Sequence, residues 1–443
     1  MSRIYEALSA HQSVCLRKIS KNRAGERMMG RFFDNDHVSI DHIKDGITKR
    51  VKEVVADRHV LCIQDTTEIN HSAHSGRVVG LGPIGNPKNI GFFLHPSIVI
   101  DATDGALLGI SSIYTHIRPL ENTTHYQAST IEQKESFRWI ESAINSKSVL
   151  SRASTITVIA DRESDIYEEW ASIPDEKTHL LTRSCHDRRL QNGENLFQFV
   201  SSLPIVSSYE IDIDQRNHKR KDNKALIDIR FSTVSILKPT KCIDFNTPAH
   251  IQLYVVDVCE SPSSVPANGK AIHWCLLTTH KIDSDDKARE IVKWYQSRWN
   301  IEQVFRTLKH QGMDVETSQL ETAEKLIKLT IMALQVAVQT MQLTLARSGK
   351  DQAIGVVFKE KECQVLADLQ NTCEGKTQKQ KNPYDPKRLS WAAWTIARLG
   401  GWKGYASESP PGPITMRNGL EKFKQILIGY QIGKSKGEIV CID

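Results

Sequence analysis

Two short apolar runs that each end on an aspartate constrain this chain most. "RHVLCIQDTT" leads into Asp65, and "STITVIADRESDIYE" leads into Asp161. Each run is rich in branched apolar residues and too short for an ordinary helix, so each reads as a buried strand. Between them, "GFFLHPSIVIDATDGALLGISSIYTHI" holds two β-rich runs around Asp104-Gly105, a hairpin turn signal. "STIEQKESFRWIESAINS" is amphipathic and predicts a helix with Ile131, Phe137, Ile140 and Ile144 among its apolar positions. A further helix is expected from near Ser164, and "HLLTRSC" adds one more strand. Strand, hairpin, helix, strand, helix, strand is the order of a mixed α/β sheet.

The flanks read differently. Residues 1–57 carry helical spacing, with Ser39 or Asp41 as cap candidates for the helix in "SIDHIKDGITKRVKEVV". From 186 to 283, "YEIDID", "ALIDIRFSTVSIL", "HIQLYVVDVC" and "AIHWCLLTTH" alternate as antiparallel strands. The basic run "RNHKRKDNK" at Arg216–Lys224 lies among them, read either as a DNA contact or as a solvated hairpin loop. Helical character returns at Ser284 and lasts to about Arg347. A polar link at 370–388 precedes "LSWAAWTIARLGGW", a helix stopped by Gly400-Gly401, and a last helix in "NGLEKFKQILIGY". Five segments are therefore expected: 1–57, 58–185, 186–283, 284–347 and 348–443.

Composition narrows the class. The net charge of +6 permits a polyanionic partner without requiring one. Nine cysteines without a C-x-x-C pair predict reduced thiols in a cytosolic protein, with neither a disulfide framework nor a zinc site. The start "MSRIYEALSA" lacks the apolar core of a signal peptide. The apolar stretch Leu326–Leu345 is interrupted by Lys328, Gln335, Gln339 and Gln342, which argues against a membrane span. Its heptad spacing predicts packing inside a domain.

"YQSRWNIEQVFRTLKHQG" contains no proline or internal glycine and reads as one helix from Tyr295. At 100° per residue, Tyr295, Arg298, Glu302 and Lys309 share an arc of roughly 60°, with the apolar residues on another side. A solvated face with an Arg298–Glu302 ion pair explains the pattern. So does a carboxylate that meets other acids at a metal. Asp65 and Asp161 are the acids available, each at a strand end. Asp165 competes with Asp161, but its place in a first helical turn suits the helix dipole instead. Three converging carboxylates repel unless divalent cations neutralise them, and hard oxygen ligands suit Mg²⁺.

These residues carry a resemblance. "QDTT" at Gln64–Thr67, "ADRESDIYE" at Ala160–Glu168 and Tyr295-x(2)-Arg298-x(3)-Glu302-x(6)-Lys309 resemble the bacterial DDE transposases of the IS-four family, in the group like the transposon-five enzyme. "GRFFDNDHV", "NIGFFLHPSIVID" and "IARLGGW" extend the likeness over most of the chain. The resemblance implies an RNase H-like mixed-sheet catalytic core interrupted by an antiparallel β insertion, with helical N- and C-terminal regions. It implies a metal-binding triad of Asp65, Asp161 and Glu302 holding Mg²⁺, with Mn²⁺ as a substitute. It places Tyr295, Arg298, Lys309 and Arg183 on DNA phosphates. Trp274 matches a family tryptophan that stacks on a flipped base, and core packing in a β segment is its alternative role.

The implied activity is cleavage of double-stranded DNA at transposon ends and strand transfer into target DNA, cut-and-paste through a hairpin, by a homodimer in the bacterial cytoplasm without membrane contact. The helices after Asp351 resemble the family's dimerisation region. Relative to the family, the chain starts partway through the end-binding helical region, and Cys185 stands where relatives carry a cation. A regulator that poisons full-length transposase, or another RNase H-like nuclease, are the alternative functions.

Overall fold

The computed structural model describes residues 1–86, 88–120, 130–212, 224–242, 246–267, 269–349, 352–405 and 407–439. Most of the basic run at 216–224 lies outside them.

Four helices lead the chain: α1 (Ser2–His11), α2 (Leu16–Ile19), α3 (Arg23–Phe33) and α4 (Ile40–Val54). Asn22 caps α3 and Ser39 caps α4, each side chain accepting from a backbone N–H three residues on. Asp41 lies in the first turn of α4, where its charge favours the helix dipole. Then come β1 (His59–Gln64), β2 (Thr67–Asn70), β3 (Gly82–Ile84) and the long hairpin of β4 (Asn89–Asp101) and β5 (Leu107–His116). Gly105 turns this hairpin at φ 72°, a conformation that side chains resist.

Next are α5 (Phe137–Val149), β6 (Thr155–Ala160), α6 (Tyr167–Ser172), β7 (Thr178–Arg183) and α7 (Leu196–Ser202). β8 (Ser207–Asp212), β9 (Lys224–Leu237), β10 (His250–Glu260) and β11 (His273–Thr278) follow. The chain closes with α8 (Asp285–Gln296), α9 (Trp299–Lys309), α10 (Ala323–Ala346), α11 (Glu360–Cys373), α12 (Leu389–Leu399) and α13 (Pro413–Ile439).

These elements form two compact units, each from separated pieces of chain. One comprises Asp57–Asp65 and Thr123–Trp299, the other Met1–Ala56, Thr66–Asn122 and Asn300–Asp443. The first is built on a mixed sheet in the order β1-β6-β7-β11-β10-β9-β8. β1, β6 and β7 run parallel, and every later neighbour pair is antiparallel. β6 lies between two parallel partners, which is why Ile156, Val158 and Ile159 are buried on both of its faces, with Thr157 buried among them.

The second unit is mainly helical and centres on α10. This helix is long and apolar enough to cross a membrane, yet it lies buried among the unit's other elements. The polar groups that interrupt it are stitches. Gln339 Oε1 accepts from the Tyr5 hydroxyl at 3.1 Å, and Gln342 Nε2 donates to Leu107 O at 3.2 Å. Lys328 is 1% exposed and satisfies its charge at Glu324, 2.6 Å away. The heptad spacing accordingly serves packing within the unit. Leu343, Phe358, Leu366, Trp391, Leu420 and Phe423 continue that core into α11, α12 and α13.

Three sequence expectations change. The helix expected across 129–146 begins only at Phe137. Ile131–Gln133 is a separate 3₁₀ turn, closed by a reciprocal Thr130–Gln133 capping box. A short helix, α7, stands among the segments read as strands. The single helix expected from Tyr295 is two helices. Ser297 and Arg298 form a turn between α8 and α9, where Arg298 N reaches back three residues to Tyr295 O at 3.0 Å. Ser297 Oγ bonds Lys293 O at 3.3 Å, a side-chain competitor for the helical ladder. The four aligned residues are thus divided, Tyr295 on α8, Arg298 in the turn, and Glu302 and Lys309 on α9.

Candidate active site

Strand register builds the site in the strand-rich unit. Ile63 aligns with Ile159 on parallel β1 and β6, and Ala160 aligns with Thr182 on β6 and β7. Asp65 stands two residues past Ile63, and Asp161 and Arg183 one past Ala160 and Thr182, so the three reach corresponding levels of neighbouring strands. The outgoing ends of parallel strands are where α/β sheets gather functional groups. Both aspartates are partly exposed there.

Arg298 comes back to this edge from the turn after α8. Its Nη1 lies 2.9 Å from Asp65 Oδ2, each side chain 17% exposed. Tyr295 is buried, and that burial raises its phenol pKa. Arg298 and Arg183 pull it down, and the Asp161 charge pushes it up. The phenol is thus electrostatically coupled to three of the sequence-selected residues. Trp274, half-buried at the start of β11, meets the Tyr295 ring edge-on at 5.5 Å between centroids. Arg183 Nη2 donates to His273 O at 2.9 Å. Six of the eight sequence-selected residues therefore come together in one unit.

The other two belong to the helical unit. Glu302 occupies the first turn of α9 and is partly buried. Lys309 ends that helix, with Nζ 3.6 Å from Glu316 Oε1. Glu316 in turn accepts from the Asn70 backbone at 3.0 Å, so Lys309 is tied to the end of β2.

The two aspartates of "DRESD" have different surroundings. Asp161 Oδ1 accepts only a local bond from Glu163 N at 2.8 Å among its described contacts. Asp165 is buried. Its Oδ2 accepts from Ser184 Oγ and from the backbone N–H of Cys185 and His186, at 2.8 to 3.0 Å. Its Oδ1 pairs with Arg188 at 2.6 Å, and the guanidinium covers the Trp170 ring at 4.7 Å. Asp165 holds the loop after β7.

Asp165, Cys185 and His186 form one cluster of ligating types, and Asp257, Cys259 and His273 form another. Each already has an arginine on its carboxylate. At the partly exposed strand ends Asp65 also carries an arginine, Arg298, whereas Asp161 has none among its described contacts, and carboxylate oxygens are donors of the kind that suit hard divalent cations.

Two acids escaped the sequence reading. Glu169 is fully buried, and burial pushes its carboxyl up to about 8. Its Oε2 accepts from Ser164 Oγ at 2.5 Å. Asp257 lies on β10 and is 2% exposed. The signal for Asp257 was present, because it interrupts the apolar run "LYVVDVC". Glu169, in "YEEW", carried no such signal.

Residues 117–337 match the transposase DDE domain family. The match takes in Asp161, Glu302, Tyr295, Arg298, Lys309, Arg183 and Trp274, and begins after Asp65. Among solved structures, the chain is similar to one described as the cryo-EM structure of piggyBac transposase synaptic complex with hairpin DNA. That similarity has a TM-score of 0.34 at 10% identity, and covers 86% of this chain and 56% of that one. The chain thus spans little more than half the length of that relative. By its family match it carries a DDE-type transposase domain, a domain class that works with divalent metal.

Proposed function

We propose that this DDE-domain protein is a DNA transposase that cleaves double-stranded DNA at transposon ends and joins the freed ends to target DNA. One observation carries the reading. The β1–β6–β7 register sets Asp65, Asp161 and Arg183 at one sheet edge, with Tyr295, Arg298 and Trp274 gathered on it.

Asp65 and Asp161, with Glu302 from α9, are the residues that would hold Mg²⁺. The bound metal would supply Lewis-acid stabilisation of the attacking and leaving oxygens of a phosphodiester. The protein's own groups do the rest. Arg183 and Arg298 present guanidinium donors suited to bidentate phosphate contact. Arg298 also neutralises Asp65, so the same cation answers to carboxylate charge and to the DNA backbone. Lys309 adds a point charge along the strand. Trp274 offers a ring for an unstacked base, which fits a route through a DNA hairpin.

The finer assignments follow from the sequence. An RNase H-like core carries the triad, with the antiparallel β8–β11 region as its insertion. The Y-R-E-K spacing favours the IS-four group within the DDE transposases. The N-terminal helices grip DNA, the C-terminal helices dimerise around two ends, and the protein acts at the bacterial nucleoid.

The test is cleavage of DNA carrying the element's own inverted ends, in Mg²⁺ and then in Mn²⁺. Wild type should nick and join these ends, and Glu302→Ala should not. Equal cutting by both would sink the site assignment. End binding without cleavage by wild type, together with inhibition of a full-length transposase, would turn the reading to a regulator.

A further inference from the structure

His273 opens β11 beside the site, and two of its groups are held at once. Its Nε2 lies 2.8 Å from Asp257 Oδ1. Its carbonyl oxygen accepts from Arg183 Nη2 at 2.9 Å. Asp257 is buried within the apolar run of β10, where a carboxylate must be matched by charge or donors. Its other oxygen receives the Cys259 thiol at 3.3 Å and lies 3.5 Å from Arg230 Nη1. Register explains the assembly: His273 faces Cys259 across β10–β11, and Asp257 faces Arg230 across β9–β10. Three strands thus converge on one buried carboxylate. One residue connects that carboxylate to the guanidinium of Arg183. The next residue along is Trp274, which packs on Tyr295.

We propose that His273 is a positioning residue, clamped on buried Asp257 so that its backbone carbonyl orients Arg183 and its chain direction sets Trp274 against Tyr295. The geometry stands by itself, and its catalytic meaning rests on the transposase reading above. The hydrogen bond to Asp257 raises the imidazole to about 10, against the opposing effect of burial, so the ring carries a proton at neutral pH. The groups facing it are Asp257 and Cys259 on β10, with Arg230 behind Asp257 and Arg183 on its carbonyl side. The rival is a soft divalent cation, because ligating atoms of Asp257, Cys259 and His273 lie within 4.8 Å of one another. Arg230 on the same carboxylate favours the proton over the metal.

The experiment has two arms on the full chain. In DNA-free protein, NMR follows the Arg183 side-chain N–H, the Trp274 indole N–H and the His273 ring. His273→Ala should shift the Arg183 and Trp274 signals, and His273→Gln, which keeps a donor at the Nε2 position, should restore them. Asp257→Asn, close in shape, should lower the pH at which the His273 ring loses its proton. In the second arm, His273→Ala should slow cleavage of end DNA roughly tenfold or more through kcat, with recovery in His273→Gln.

Unmoved Arg183 and Trp274 signals in both His273→Ala and Asp257→Asn would overturn the clamp. So would Co²⁺ binding with a thiolate charge-transfer band that Cys259→Ala abolishes. If wild type cleaves no DNA, the transposase reading fails, while the NMR arm still judges the clamp.

Discussion

Two aspartate–arginine pairs in the strand-rich unit share chemistry and differ in surroundings. Asp65 and Arg298 meet at the sheet edge, each 17% exposed. Asp165 and Arg188 meet inside, 0% and 8% exposed, with three further donors on the carboxylate. Burial makes the second pair an anchor, because neither partner can leave without stranding a charge in a poor dielectric. The first pair is partly exposed, within reach of solvent. An acid suited to exchange ligands needs the first environment, and an acid that fixes a loop needs the second.

Substitution should separate the two most widely. Asp65→Asn should lower end-DNA cleavage by about a thousandfold, a loss of several kcal/mol of transition-state stabilisation. It should change unfolding free energy by only about 1 kcal/mol or less. Asp165→Asn should do the reverse in stability, costing about 3–5 kcal/mol in urea unfolding because Arg188 is left unpaired. Equal stability losses in the two variants would erase the distinction.

A smaller effect tests the aromatic side of the edge. Trp274→Ala should weaken binding to DNA with an unpaired base by about 1–3 kcal/mol, and leave plain duplex affinity nearly unchanged. Fluorescence of a base analogue in the hairpin would read this, and equal loss on both DNAs would assign Trp274 to packing.

The buried neighbour of Asp165 gives a pH signature. Glu169 is raised to about 8, so the folded state keeps a proton that the unfolded state releases near its ordinary value. Its contribution is full below pH 4.5 and is lost as pH rises through about 8. Glu169→Gln should therefore gain about 1–2 kcal/mol relative to wild type between pH 5 and pH 8. Parallel pH–stability curves for the two would contradict the assignment.

The smallest expected change is at Lys309. Its partner Glu316 belongs to the same unit, and removing one phosphate contact should reduce the salt slope of DNA binding by about 1. Lys309→Met with an unchanged slope would remove Lys309 from the DNA contacts.

Much of the local structure was legible in the residues. The apolar runs before Asp65 and Asp161 are strands because branched side chains buried on both faces leave no helical period to read. Asp104-Gly105 marked its hairpin, and Gly400-Gly401 its helix end, since turn and stop chemistry is local. The break at Ser297-Arg298 was not legible. The periodicity runs through it unchanged, and the tightened turn depends on where Arg298 finds Asp65, 233 residues away in sequence.

By itself, the sequence determined the longer strands, though not the short β2 and β3, together with the acids that follow β1 and β6 and the Y-R-E-K spacing. Such features follow from side-chain shape and turn propensity over a few residues. Only the tertiary structure decided which aspartate of "DRESD" is buried, which acids carry arginines, and that His273 joins Asp257 to Arg183. Those outcomes depend on strand order and register, which bring distant residues into one dielectric environment. A carboxylate's role follows from that environment, and a pattern along the chain does not contain it.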